Sequence, residues 1–202
     1  IVPERVPPGC CAVVIDLKGI GWNYPALQVP QGLLSPVLLG DLARQVIFVA
    51  PSMRGEVLVV NGRSWVSEGD RTNGFDGGAE DALALLEVAL TLVPEADPKR
   101  VCAFGHSRGG SVALLAAERS PRITCVAAMA GPTDWFSRMP GGATGWTVTE
   151  IVADGLRMRA APNEEGGQFI ERFLQPAIAG QADLAATRLR LLRSSALYFA
   201  DR

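Results

Sequence analysis

The sequence predicts an α/β protein with a mainly parallel sheet covered by helices on both faces. Two observations carry this reading. Four strand-length runs, at residues 10–17, 45–50, 101–105 and 123–130, are mainly apolar rather than alternating, interrupted by Asp16, Gln45 and Thr124, the pattern of strands buried on both faces. The segments between several of them keep helical spacing of apolar residues, and strands alternating with amphipathic helices specify parallel pairing through crossovers.

Taken in order, CCAVVIDL at 10–17 is the first strand, followed by the glycine-bearing turn Lys18-Gly19-Ile20-Gly21-Trp22. Ser35-Pro36 reads as a cap with proline at the first helical position, opening a helix to about Arg44. QVIFVA at 45–50 is the second strand, ended by Pro51. Residues 52–74 are polar and rich in Gly, Arg, Ser and Asn, and are expected to form a long surface loop of the kind that carries function. Asp76 is placed as the N-cap of the next helix, in which Ala82, Leu83, Leu85, Leu86, Ala89 and Leu92 share a face. The third strand, 101–105, leads into Ser107 and a helix of small residues from Gly109 to about Arg119. ITCVAAMA at 123–130 is the fourth strand, closed by Gly131-Pro132. From Trp146 onward only helical periodicity is found, with breaks near Pro162, Pro176 and Gly180.

A chain of 202 residues forms one or at most two domains and buries a sizeable core. No repeat or linker divides it, so a single domain over 1–202 is expected, with a core at 1–135 and a helical, lid-like region at 136–202. A formal net charge of −2 gives no electrostatic case for nucleic acid. No stretch approaches the ~20 apolar residues needed to span a bilayer, so a soluble chain is expected, in a compartment the composition leaves open, as it does the oligomeric state. The only histidine is His106, which excludes histidine-rich zinc sites and paired-histidine catalysis. No metal or organic cofactor is implied. Cys10, Cys11, Cys102 and Cys125 form no CxxC pair, and the last two, inside apolar runs, read as buried unreacted thiols.

The segment that carries chemistry is Gly105-His106-Ser107-Arg108-Gly109, a G-x-S-x-G between an apolar strand and a small-residue helix. That strand-turn-helix context is what a nucleophile elbow requires. The serine backbone is held in a strained turn, and side chains at the flanking glycines would clash with the neighbouring strand or helix. Ser107 would stand above the carboxyl ends of the strands, at a helix N-terminus that favours negative charge. The plain alternative is an ordinary tight turn. His106, one residue before Ser107 on the same sharp turn, is expected to point away and to serve packing. An oxyanion hole needs two donors. One is the backbone N–H of Arg108; the other is the N–H of Ile20 or Gly21, because residues 18–22 can be laid on an HGGGW-type loop with lysine in place of histidine. Read instead as a dinucleotide-binding turn, Gly19-Ile20-Gly21 would need a third glycine where Tyr24 stands.

Together these residues resemble the α/β-hydrolase superfamily, and within it the prolyl oligopeptidase-like and dienelactone hydrolase-like serine hydrolases. The resemblance rests on Ala50-Pro51-Ser52-Met53-Arg54-Gly55, similar to a P-x-x-R-G; on Asp76-Gly77-Gly78-Ala79-Glu80-Asp81 before the elbow strand; on the elbow with Gly110; and on Gly131-Pro132-Thr133-Asp134-Trp135. It implies an α/β-hydrolase fold, truncated at both ends, and cleavage of a small ester or peptide-type substrate through an acyl-enzyme on Ser107. Arg54 is expected in a salt bridge that holds the long loop. Helices between Gly145 and Ser194 would form a lid, with Trp135, Phe136 and Trp146 as candidate walls.

The family's triad runs Ser, then Asp or Glu, then His. No histidine lies downstream of Ser107. Asp134 follows the strand after the elbow, a place from which some lipases supply the acid, while the prolyl oligopeptidase-like pattern makes it structural. The expectation is a longer hydrolase whose last two strands, acid and histidine lie beyond Arg202; the alternative is a non-catalytic hydrolase-fold binding protein.

Overall fold

Cys11–Leu17 forms β1, a strand whose alternate residues Cys11, Val13, Ile15 and Leu17 are essentially inaccessible. In the computed structural model, which describes residues 2–17, 45–60, 63–70, 73–134, 176 and 179–201, it is followed by β2 (Val46–Val49), β3 (Val57–Val60) and β4 (Arg63–Val66). Then come α1 (Asp76–Leu92), β5 (Ala96–His106), α2 (Arg108–Arg119), β6 (Cys125–Met129) and α3 (Leu184–Arg193). A short 3-10 helix spans Ala196–Phe199. The chain divides into two units, Ile1–Gly131 and Pro132–Arg202.

In the first unit the expected parallel sheet is present, in the order β2-β1-β5-β6. All three pairings are parallel, so chain neighbours are joined through crossovers and β1 sits inside the sheet. Leu17 pairs with Gly105, and Gly105 with Ala128. The ends of β1, β5 and β6 therefore lie side by side along one carboxyl edge. The buried side chains of β1 are matched by Ala79, Ala82 and Leu86 of α1 and by Val112, Leu115 and Ala116 of α2, all fully buried. Each large aliphatic side chain so enclosed contributes about 1.5–3 kcal/mol.

Three boundaries differ from the sequence reading. β5 begins at Ala96, because the polar stretch Ala96–Arg100 continues the ladder to Cys11 through a register irregularity between Cys11 and Val13. The segment 52–74 is not an open loop: β3 and β4 pair antiparallel, Val57 with Val66 and Val60 with Arg63. Asp76 is the first residue of α1 rather than its cap, which is Phe75. Its carboxylate is drawn instead to Arg119 at the end of α2, 2.8 Å away.

In the second unit, Asp183 caps α3 by accepting from the Ala185 N–H at 2.8 Å. The Ser195 hydroxyl donates to the Leu191 carbonyl, and the Leu197 N–H to that of Thr133. The helix expected at 36–44 and most of the expected lid region fall outside the described residues. Among the described residues no helix is long and apolar enough to cross a membrane.

Candidate active site

Ser107 lies between the end of β5 and the start of α2 with φ 55° and ψ −124°. A non-glycine residue in this region stores about 1–3 kcal/mol of strain and persists only where its surroundings over-determine it. The surroundings here are backbone. The Ser107 N–H donates to the Met129 carbonyl at the end of β6, and the Ser107 carbonyl accepts from the Gly110 N–H at 2.9 Å. A Cβ on Gly105 would stand 2.0 Å from the Gly109 carbonyl oxygen; one on Gly110, 2.9 Å from that of Met129; one on Gly131, 2.5 Å from the Ser111 nitrogen. The elbow strand, the first turn of α2 and the end of β6 thus touch through main chain at three points that admit no side chain. Ser107 stands at the N-terminus of a twelve-residue helix, where the N–H groups of the first turn and the helix dipole favour an anion.

Charged side chains brace this turn from a distance in sequence. Arg108, the first residue of α2, is only 2% exposed, and its guanidinium pairs with Glu56 at the foot of the β3–β4 hairpin. Two residues earlier, Arg54 grips Asp81 of α1 with both its side chain and its backbone N–H, and reaches Glu80 at 3.1 Å. The bond to Asp81 raises the Arg54 pKa further above its ordinary value. Its guanidinium lies flat where Gly77 has no side chain; a Cβ there would come within 2.3 Å of it. Arg54 is therefore the loop-holding salt bridge that the sequence suggested. Glu56 escaped the sequence reading, since nothing in Arg-Gly-Glu marks the glutamate as the partner of a residue 52 positions on.

His106 is half-buried on β5, opposite Met129 in the ladder. Asp134, in the second unit, is buried and accepts a hydrogen bond from the Tyr198 hydroxyl at 3.2 Å. Although Tyr198 is exposed overall, partial desolvation of its phenol and this bond raise its pKa. Ile20 and Gly21, the expected second oxyanion donors, lie outside the described residues, as do Trp135, Phe136 and Trp146.

The cysteine reading is corrected. Cys102 and Cys125 are directly opposed in the β5–β6 ladder, with Cα atoms 4.6 Å apart, and form a disulfide. Their pairing depends on strand register, which apolar runs alone do not reveal, and Cys125 is exposed rather than buried. Cys10 and Cys11 are free thiols. Burial and the neighbouring Cys10 push the Cys11 thiol up to about 11. Among the described residues no group of three His, Cys, Asp or Glu is placed to hold a metal ion.

Residues 38–155, more than half of the chain, match the prolyl oligopeptidase family. No curated protein matches the sequence. Solved structures match it at low identity. An acetyl xylan esterase from Paenibacillus sp. R4 is 16% identical over 100% of this chain and 59% of its own, with a TM-score of 0.58. An acylaminoacyl peptidase from Pyrococcus horikoshii is 19% identical over 99% of this chain and 27% of its own, at 0.56. A puromycin-hydrolyzing peptidase from Mycobacterium tuberculosis is 17% identical over 100% and 25%, at 0.54. The chain thus spans 25–59% of the lengths of these three proteins. These likenesses establish the fold, that of the α/β-hydrolases.

Proposed function

The chain belongs to the prolyl oligopeptidase family, and on that premise we propose that it acts as a serine hydrolase cleaving an ester or peptide-type bond through an acyl-enzyme on Ser107. The observation that carries the reading is the left-handed backbone of Ser107 at the strand-to-helix turn. A strained, glycine-enclosed serine at a helix N-terminus is the arrangement that presents Oγ for attack on a carbonyl.

In this reading the Ser107 Oγ adds to the substrate carbonyl carbon as its proton passes to a base. The oxyanion is met by the Arg108 N–H and by that of Ile20 or Gly21, and loss of one such donor costs about 10²–10³ in rate. Collapse expels the alcohol or amine, which takes the proton from the base, and water then releases the acid from Ser107 by the same route. The base is taken to be a histidine outside these 202 residues, because His106 sits on the elbow strand itself. The Tyr198 bond to Asp134 supports a structural role for that carboxylate rather than that of triad acid.

The competing reading, a non-catalytic binding protein of the same fold, draws on one observation, that His106 is the only histidine. Treating the full-length protein with a fluorophosphonate separates the two. Covalent labelling at Ser107, lost in Ser107→Ala, is the expected result; an unlabelled full-length protein overturns the hydrolase reading.

A further inference from the structure

The acyl-transfer chemistry uses only the backbone N–H of Arg108, yet the Arg108 guanidinium is 2% exposed and paired with Glu56 at 2.5 Å. A cation so enclosed is costly unless a partner meets it. Glu56 is in turn firmly seated. Its N–H donates to the Met53 carbonyl at 3.0 Å, its carbonyl accepts from the Ser67 N–H at 2.9 Å, and the adjacent Gly55 N–H donates to the Glu68 carbonyl. The same turn is tied to α1 through Arg54 and Asp81. The pair therefore connects a rigid turn to the residue whose peptide N–H faces the oxyanion.

Resting on the serine-hydrolase reading, we propose that Glu56 is a positioning residue: by anchoring the Arg108 side chain it fixes the orientation of the Ser107–Arg108 peptide and hence of the oxyanion donor. That peptide has two soft torsions, ψ of Ser107 and φ of Arg108. Ser107 sits in a strained well, and relaxation would rotate the peptide and swing its N–H away. Rotation would also drag the buried guanidinium off Glu56, which resists it. Electrostatics alone give the opposite sign. An Arg108 charge no longer neutralised by Glu56 would favour the developing oxyanion, so a purely electrostatic Glu56 slows the reaction and its removal speeds it.

The test is fluorophosphonate labelling of the full-length protein, separating the maximal inactivation rate from the affinity for the reagent, in Glu56→Ala, Glu56→Gln and Glu56→Asp. Thermal unfolding of each normalises the rate to folded protein. Glu56→Gln keeps the reach and an acceptor oxygen, and is expected to stay within about threefold of wild type. Glu56→Asp keeps the charge but is one methylene short; it and Glu56→Ala are expected to lose about tenfold or more in maximal rate at unchanged affinity, as sub-ångström to 1 Å displacements do. If Glu56→Ala does not fold, the order of Gln and Asp still decides. Wild-type rates in all folded variants, faster labelling in Glu56→Ala, or Asp retaining what Gln loses overturns the positioning role alone. A wild-type protein that does not label overturns the serine-hydrolase reading and this role with it.

Discussion

Replacing Gly105 by alanine should damage both the stability of the protein and the reactivity of Ser107. The new Cβ would lie 2.0 Å from the Gly109 carbonyl oxygen, 2.2 Å from its carbon and 2.7 Å from the Gly110 nitrogen, where real Cβ contacts essentially never fall under 3.0 Å. The nearest atom must therefore retreat by about 1 Å or more, and all three are main chain, with no rotamer to escape into. α2 is also blocked on its other side, by the approach of Gly110 to Met129 and of Gly131 to Ser111. Relief has to come from opening the elbow itself. Overpacking of this kind costs about 3 kcal/mol, the upper end of the usual range, which for a domain of this size lowers Tm by about 6–12 °C. A 1 Å displacement at the reacting atom costs about 10²-fold in rate. Gly78→Ala is the matched control, because its Cβ would meet the side chains of Val112 at 3.2 Å and Met53 at 3.7 Å. Those atoms can yield, and alanine in a helix gains about 0.5–1 kcal/mol over glycine. Differential scanning calorimetry and fluorophosphonate labelling of the full-length protein read both quantities. A Gly105→Ala variant that melts with wild type and labels at its rate would refute the reasoning.

Three further outcomes follow from the same contacts. Arg54→Ala removes the forked bond to Asp81 and should cost about 2 kcal/mol in urea unfolding; Gly77→Ala, which displaces the same guanidinium, should cost nothing more once Arg54 is gone, and additive losses would argue against a shared network. With Cys102 and Cys125 joined and Cys11 raised to about 11, alkylation of unreduced protein unfolded in denaturant, mapped by peptide mass, should mark Cys10 and Cys11 but not Cys102 or Cys125, and Cys11 should stay unmodified in native protein at mildly alkaline pH; alkylation of Cys102 and Cys125 would exclude the disulfide. Because the folded pKa of Tyr198 is raised, its contribution to stability is complete below the ordinary tyrosine pKa and is lost as pH rises through the higher folded value. Ultraviolet titration should show late ionisation of this phenol that Asp134→Asn makes earlier, and an unchanged titration in that variant would rule out the contact as the cause.

The sheet was legible because its signals are local. Its strands are written as short, mainly apolar runs, and Ala82, Leu86 and Ala89 of α1 are buried where their helical spacing put them, although Leu92, read on the same face, is exposed at the end of the helix. The elbow was legible because glycines at 105 and 109 around a serine are a local requirement of a local strain. The β3–β4 hairpin was missed although Asn61-Gly62 is a two-residue hairpin signal, because the exposed Arg-Ser-Trp-Val of β4 carries no buried stripe to mark a strand. The disulfide and the Glu56–Arg108 pair were out of reach for a different reason. Both join residues whose proximity is fixed by strand register and by the packing of a hairpin beside a helix, and composition around each partner is silent about the other.

The energetics of Ser107 explain why its supports should come from so far away. The strain there, about 1–3 kcal/mol, is comparable with the net worth of the three backbone hydrogen bonds that hold the residue, one of them long at 3.4 Å, at about 0.5–1.5 kcal/mol each. The elbow's own main chain thus balances the strain with little left over. A turn held at balance samples neighbouring torsions, and at a catalytic serine such excursions move the nucleophile and the oxyanion donor together. What stiffens it must be contacts that strain relief would break: the backbone approaches at Gly105, Gly110 and Gly131, and the buried Arg108 guanidinium on Glu56. The first set acts by exclusion and needs only the absence of side chains, so it is written in the motif. The second acts by attraction and needs an acceptor of the right reach delivered by another part of the chain. Rigidity at the elbow is therefore set jointly by residues 105–110 and by the turn at 53–56, and substitutions in that turn should alter reaction rate before they alter substrate affinity.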